Sequence, residues 1–237
     1  MARRDKESTR QLLLETGYAL MLERGIEAGW GVRVSDVTER VGLTTGAAYQ
    51  IWNGSRTVHG SGGQDRFHHD LALYALDRLV SDVSVTNTNA AWDLANEGAS
   101  FDRILQVLGE DDFAAISAPA EFACFLALLA STTSDTELAD ASRDAYQASN
   151  TVLVDVYSKI LDHFDLEIAP PYTLDQLVVS AIALADGLCM RQLVDPDAID
   201  TEMPAPDGAA PDAEGPWHLV AIGTRALVTA MTRPRSA

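Results

Sequence analysis

Apolar residues recur at intervals of three and four along most of the 237-residue chain, and stretches that alternate apolar and polar residues are nearly absent. That period belongs to the amphipathic helix rather than the half-buried strand, so the fold class read from the pattern is all-α. The first helix is expected from Ser8, with Gln11 three residues on as a capping-box partner, and its apolar face carries Leu13, Gly17, Leu20 and Met21. Arg24-Gly25 closes it. A short helix then ends at Gly42, and Thr44 caps the next one, which runs out near Asn53-Gly54. After the glycine-rich stretch NGSRTVHGSGG at 53–63, the pattern predicts helices over 65–82, 89–98, 100–116, 119–131, 135–164, 173–194 and 215–232. The segment 195–216 holds five prolines, seven acidic residues and no basic one, which predicts a solvated loop.

Charge divides the chain. Residues 1–78 hold ten basic and ten acidic residues, whereas the remainder holds seven and 25 and carries the whole net charge of −18. An acidic body repels nucleic acid, so any contact with DNA falls to the neutral head. The two cysteines, Cys124 and Cys189, are each flanked by apolar residues, which suits buried thiols in a reducing cytosol. The charged N-terminus is followed by no apolar run, and the longest such run, Phe122–Ala130, is far below the roughly 20 residues of a spanning helix. A cytoplasmic protein with no membrane partner is expected.

The stretch VGLTTGAAYQIW at 41–52 carries the most specific chemistry. Two short helices joined by a tight turn at Gly42 fit a helix-turn-helix, whose second helix enters the major groove. Small residues at Gly46 and Ala47 let that helix approach the base edges, and Ala47 can meet a thymine methyl. Thr44 and Thr45 offer hydroxyls beside unpaired N–H groups that suit a phosphate. Tyr49 reaches a phosphate with its hydroxyl, Gln50 can pair with adenine, and Ser35 opens the preceding helix toward the backbone. Trp52 closes a small core with Val37, Val41, Leu43 and Ala48.

These residues resemble the N-terminal DNA-binding motif of the TetR family of transcriptional repressors. In VSDVTERVGLTTGAAYQIW, Val37, Gly42, Leu43, Gly46, Tyr49 and Trp52 fall where that family has an aliphatic residue, Gly, an aliphatic residue, Gly, Tyr and Phe. YALMLERG at 18–25 and ALADGLCMRQLVDP at 183–196 extend the likeness. The resemblance implies a DNA-binding domain over 1–63 and a ligand-binding and dimerisation domain over 64–237. It implies a homodimer joined through helices near 173–194 and 215–232, a palindromic double-stranded DNA operator, and release by a small organic molecule. No enzymatic activity, cofactor or metal is implied.

Two departures stand out. The family usually places a Lys three residues after the aromatic at Trp52; here Ser55 stands there, and removing 55–63 as an insertion would bring Gln64 into the Lys position. Arg56 or His59 within the insertion is the expected replacement cation on the DNA side, Arg56 being the one assigned to DNA. Thr38 stands where an Ala is usual and is expected to loosen the packing slightly. A TetR-like helical sensor that binds no DNA is the alternative reading.

Elsewhere, enzymatic readings fail on mechanics. In HGSGG at 59–63 a nucleophile elbow lacks its first Gly, and a phosphate-cradling loop lacks its Lys. The adjacent His68 and His69 point about 100° apart on a helix and cannot easily share one metal ion. Trp92, Phe122, Phe125, Tyr146, Asn150, Tyr157 and Met190 lie on the helices expected to line a ligand pocket, and their mainly aromatic character suits an apolar or amphipathic organic ligand. Asp186, inside an apolar helix, is placed to hydrogen-bond across the dimer or into that pocket.

Overall fold

A computed structural model describes residues 5–24, 31–52, 62–116, 119–132 and 135–235. Helices dominate, as the period requires: α1 (Lys6–Arg24), α2 (Val34–Val41), α3 (Thr45–Trp52), α4 (Gly63–Asn96), α5 (Phe101–Ile116), α6 (Pro119–Ser131), α7 (Thr136–His163), α8 (Leu174–Gln192), α9 (Pro196–Ile199) and α10 (Leu219–Met231). Two three-residue strands, β1 (Leu166–Ile168) and β2 (Thr232–Pro234), pair antiparallel with Glu167 opposite Arg233. The chain forms two compact units, Met1–Leu79 with Ala120–Ala145, and Val80–Pro119 with Tyr146–Ala237.

In the first unit the core is built from Leu13, Leu14 and Leu20 of α1, Val37 of α2, Ala48 and Trp52 of α3, and Phe67 and Leu71 of α4, all buried. Gly17 lets α1 approach α4: a Cβ there would stand 3.0 Å from Leu71 Cδ1 and 3.2 Å from Phe67 Cζ. The cap of α1 is Asp5, not Ser8. The Asp5 carboxylate accepts from the Ser8 N–H at 2.7 Å, one turn earlier than the capping-box pattern suggests.

In the second unit, Leu105 of α5, Leu161 of α7, Leu177 of α8 and Val228 of α10 form one cluster, while Ala91, Ala95, Ile104, Val156 and Ile160 form another. Between α5 and α10 the approach is closer still, since a Cβ on Gly109 would lie 2.8 Å from Ala221 Cα.

Three further sequence expectations change. The two helices expected over 65–82 and 89–98 are one continuous helix, α4. The β-branched and Asn-rich stretch VSVTNTN between them costs only tenths of a kcal/mol per residue in helix propensity, which tertiary context outweighs. Gly98, at φ 86°, ends α4 with the paired bonds of a Schellman turn, Gly98 N–H to Ala95 O and Ala99 N–H to Leu94 O.

The segment 195–216 is not a free loop. It holds α9, a 3₁₀ turn at Pro211–Ala213 and a bridge between Met203 and Trp217. Trp217, fully buried, donates its indole N–H to Ala213 O, and the buried Gln106 side chain of α5 donates to Pro216 O at 2.6 Å. Asp102 of α5 accepts from both the Ala210 N–H and Arg225 of α10. Its prolines pre-set the backbone and so lower the entropy lost on ordering, which composition alone does not reveal.

Thr38 is fully accommodated rather than loosening the head. It is 1% exposed, and its hydroxyl lies 2.9 Å from Val34 O and 3.0 Å from Ser35 O, so one turn of α2 satisfies it.

Candidate nucleic-acid interface

The turn between α2 and α3 follows from Gly42. At φ 69° and ψ 29° it adopts the left-handed conformation that glycine takes without a Cβ penalty. Its N–H donates to Glu39 O and the Leu43 N–H donates to Thr38 O at 2.9 Å, which again completes a Schellman motif. Thr44 then caps α3: its hydroxyl accepts from the Ala47 N–H at 3.3 Å and its carbonyl from the Ala48 N–H.

One face of α3 is committed inward by Ala48 and Trp52, both buried. The opposite face presents Thr44, Gly46, Ala47 and Gln50 as exposed residues, with Thr45 and Tyr49 half-buried at its margins. Ser35 of α2 is exposed, with its hydroxyl near Asp36. A Cβ added to Gly46 would meet nothing within 4 Å. Glycine inside a helix costs about 1 kcal/mol relative to alanine. Here no contact among the described residues requires it.

The charged groups of the head are largely paired. Arg24 meets Asp36 at 2.6 Å, Arg40 meets Glu23 at 2.6 Å, and Arg10 meets Asp70 at 2.9 Å. Arg24 is also the main cause holding the Asp36 carboxyl below the usual range, against a small burial effect. Arg33, exposed at the N-cap of α2, makes no ion pair among the described residues. Sequence reasoning passed over it because a lone Arg before a helix has no pattern of its own. Arg56 lies outside the described residues.

Gln64 is used differently from a cation. Its Oε1 accepts from the Val34 N–H at 3.0 Å and its Nε2 donates to Val32 O at 3.2 Å, so it ties the first turn of α4 to the entry of α2. The HHD run that follows ties α4 to several elements in turn. His68 Nε2 lies 2.8 Å from Val32 O, His69 bridges Asp135 and Glu137, and Asp70 takes both Trp52 and Arg10.

The residues expected around a ligand fall in separate settings. Phe122 and Phe125 of the first unit have ring centroids 6.3 Å apart, with Phe122 buried. In the second unit, Trp92 is 39% exposed and stands edge-on to His163, Tyr157 packs against the cluster around Leu177, and Met190 is 52% exposed. Tyr146 donates to Asp186 Oδ2 at 3.3 Å, and Asn150 Oδ1 is buried with no hydrogen-bond partner. Burial raises the Asp186 carboxyl above its usual range, only partly offset by the Tyr146 hydroxyl, and burial followed by the Asp186 charge raises the Tyr146 phenol.

Neither a family model nor a curated relative matches this sequence. Solved structures do. One assigned to the TetR-family transcriptional regulators, from Mesorhizobium loti, is 8% identical with a TM-score of 0.62, covering 96% of this chain and 98% of its own. A transcriptional regulator from Saccharomonospora viridis, solved in complex with choline, is 17% identical with a TM-score of 0.55, covering 96% and 99%. Another, from Rhodococcus sp. Rha1, is 18% identical with a TM-score of 0.55, covering 94% and 97%. The chain thus has the all-α fold of the TetR-family transcriptional regulators.

Proposed function

We propose that this protein is a cytoplasmic transcriptional regulator, a repressor that binds a palindromic DNA operator as a homodimer and releases it when a small organic molecule binds. Residues 1–63 are the reading head and 64–237 the ligand-binding and dimerisation domain. The observation that carries this reading is Gly46. A helix-destabilising residue sits on an exposed face with no described residue within 4 Å of where its Cβ would stand, which favours a smallness that serves a surface outside the chain.

The rest of the face suits DNA. Thr44 and Thr45 grip a phosphate at the N-terminus of α3, Ala47 meets a thymine methyl, Gln50 pairs with adenine and the Tyr49 hydroxyl reaches the backbone. Arg33 and Ser35 hold the adjacent phosphates from α2. Large apolar residues left exposed on α8, Val179 and Met190, and Val194 just beyond its end, favour that helix as part of the dimer seam with α10. The S. viridis relative binds choline, which favours a small organic effector here too.

The inward use of Gln64 favours one rival, a helical sensor that has lost its grip on DNA. A gel-shift with DNA upstream of the coding region, at two salt concentrations, decides between them. The regulator shifts that DNA, more weakly at higher salt as counterion release requires, and Ala47→Glu abolishes the shift. An unaltered shift by Ala47→Glu overturns the assigned face.

A further inference from the structure

Asp186 is a charge in an apolar setting. Its neighbours one helical turn away on α8 are Ile182, Ala183, Cys189 and Met190, none of them polar. Its only hydrogen bond is the 3.3 Å contact from Tyr146, and no lysine or arginine pairs with it among the described residues. One turn along α7 from Tyr146 stands Asn150, whose Oδ1 has neither solvent nor a hydrogen-bond donor. Residues four apart on a helix have Cβ atoms roughly 5–6 Å apart, so the Asn150 amide stands one turn from the phenol that meets Asp186.

Their chemistry is one-sided. Asp186 and Asn150 Oδ1 are acceptors without adequate donors, and the phenol oxygen of Tyr146 can accept as well as donate. A half-buried carboxylate without a cation is partly desolvated at a cost, as is a buried amide oxygen left unpaired. Both deficits disappear together if one group brings several N–H donors and a positive charge. An ammonium brings three donors and its charge, and the net charge of −18 draws cations toward the chain.

We propose that Asp186, Tyr146 and Asn150 form a recognition site for an organic ammonium group carried on an apolar body. This deepens the effector half of the regulator reading and rests on it for its biological meaning, but the site stands or falls without DNA. Asp186 supplies the counter-charge, Asn150 Oδ1 takes a second ammonium proton and Tyr146 orients the carboxylate. Ile182, one turn earlier on α8, and the Tyr146 ring receive the hydrocarbon portion.

The test is titration calorimetry on the intact protein with n-hexylamine and phenethylamine, each against its alcohol counterpart, n-hexanol and phenylethanol. At least one amine is expected to bind ten-fold or more tighter than its alcohol. Asp186→Asn, which keeps the acceptor for Tyr146 and removes the charge, should lower that affinity at least ten-fold while circular dichroism stays unchanged. Asn150→Leu should weaken the amine and spare the alcohol. Absence of binding by both amines, equal binding of amine and alcohol, or an unchanged affinity in Asp186→Asn overturns the site. If Asp186→Asn instead changes only the monomer–dimer equilibrium in sedimentation, the carboxylate belongs to a subunit interface and the proposal fails. A failed gel-shift beside successful amine binding rejects the regulator and leaves the site standing.

Discussion

The indole N–H of Trp52 and the guanidinium of Arg10 converge on one oxygen, Asp70 Oδ2, at 2.9 Å from the indole and 2.9–3.0 Å from the two guanidinium nitrogens. Three helices, α1, α3 and α4, are joined at that oxygen, with the Trp52 ring edge-on to Phe67 at 5.1 Å beneath it. Asp70→Ala leaves a buried indole donor unpaired, at a cost of about 1–3 kcal/mol. Thermal melting should fall by about 2–4 °C per kcal/mol for a chain of this size. Asp70→Asn keeps an acceptor for the indole and should lose less; equal losses in both variants would remove the indole from the account.

Gly46→Ala separates the two explanations for a glycine in α3. If the glycine serves only the fold, alanine harms stability. With nothing near its Cβ, alanine is expected to leave the melting temperature unchanged or raise it, by up to about 1 kcal/mol of added stability. Operator affinity in the gel-shift should nevertheless fall.

Gly109→Ala is the opposite case. Its Cβ would strike Ala221 Cα at 2.8 Å, a backbone atom that cannot rotate aside. A loss of roughly 1–3 kcal/mol is expected from overpacking between α5 and α10, read by chemical denaturation. Helix propensity alone would give a gain.

Both cysteines should resist modification. Burial pushes the Cys124 thiol up to about 11, helped by Glu121, and Cys189 up to about 12, helped by Asp186. At pH 8 neither is a thiolate, so a disulfide reagent should label the protein slowly until denaturant is added. Rapid labelling of the native protein by two equivalents would contradict the burial.

Asp186 gives a pH signature of unusual sign. Burial raises its folded value above the unfolded one, so between the two values the folded state holds the extra proton and stability falls as pH rises. Asp135 behaves oppositely. Burial acts upward there, but the Leu138 N–H and His69 outweigh it and lower its carboxyl, so its contribution is present above the ordinary carboxylate range and lost as pH falls through the folded value. Asp186→Asn should therefore raise the melting temperature at pH 7. A fall would mean that an unseen cation already compensates the charge.

The helical fold and the α2–α3 turn were legible because local signals agree: the apolar period, Gly42 in its left-handed turn, and Thr44 as a cap. What escaped was tertiary. Nothing local marks Asp70 as the acceptor for Trp52, or Gln64 as a partner for backbone thirty residues earlier. The ordered strap before Trp217 was hidden by its own acidic, proline-rich composition, since burial of one indole and a few side-chain bonds to α5 and α10 fix it. The two short strands escaped because three residues are too few to display an alternation.

A side-chain amide presents the same donor and acceptor as a peptide unit, and Gln64 spends both on the backbone at Val32 and Val34. The start of α4 is thereby stitched to the segment entering α2 much as a neighbouring strand would be. Opening the first turn of α2 therefore breaks a bond to Gln64 as well as its own. Hydrogen exchange at the Val34 amide should accordingly be slow, and Gln64→Ala should quicken it.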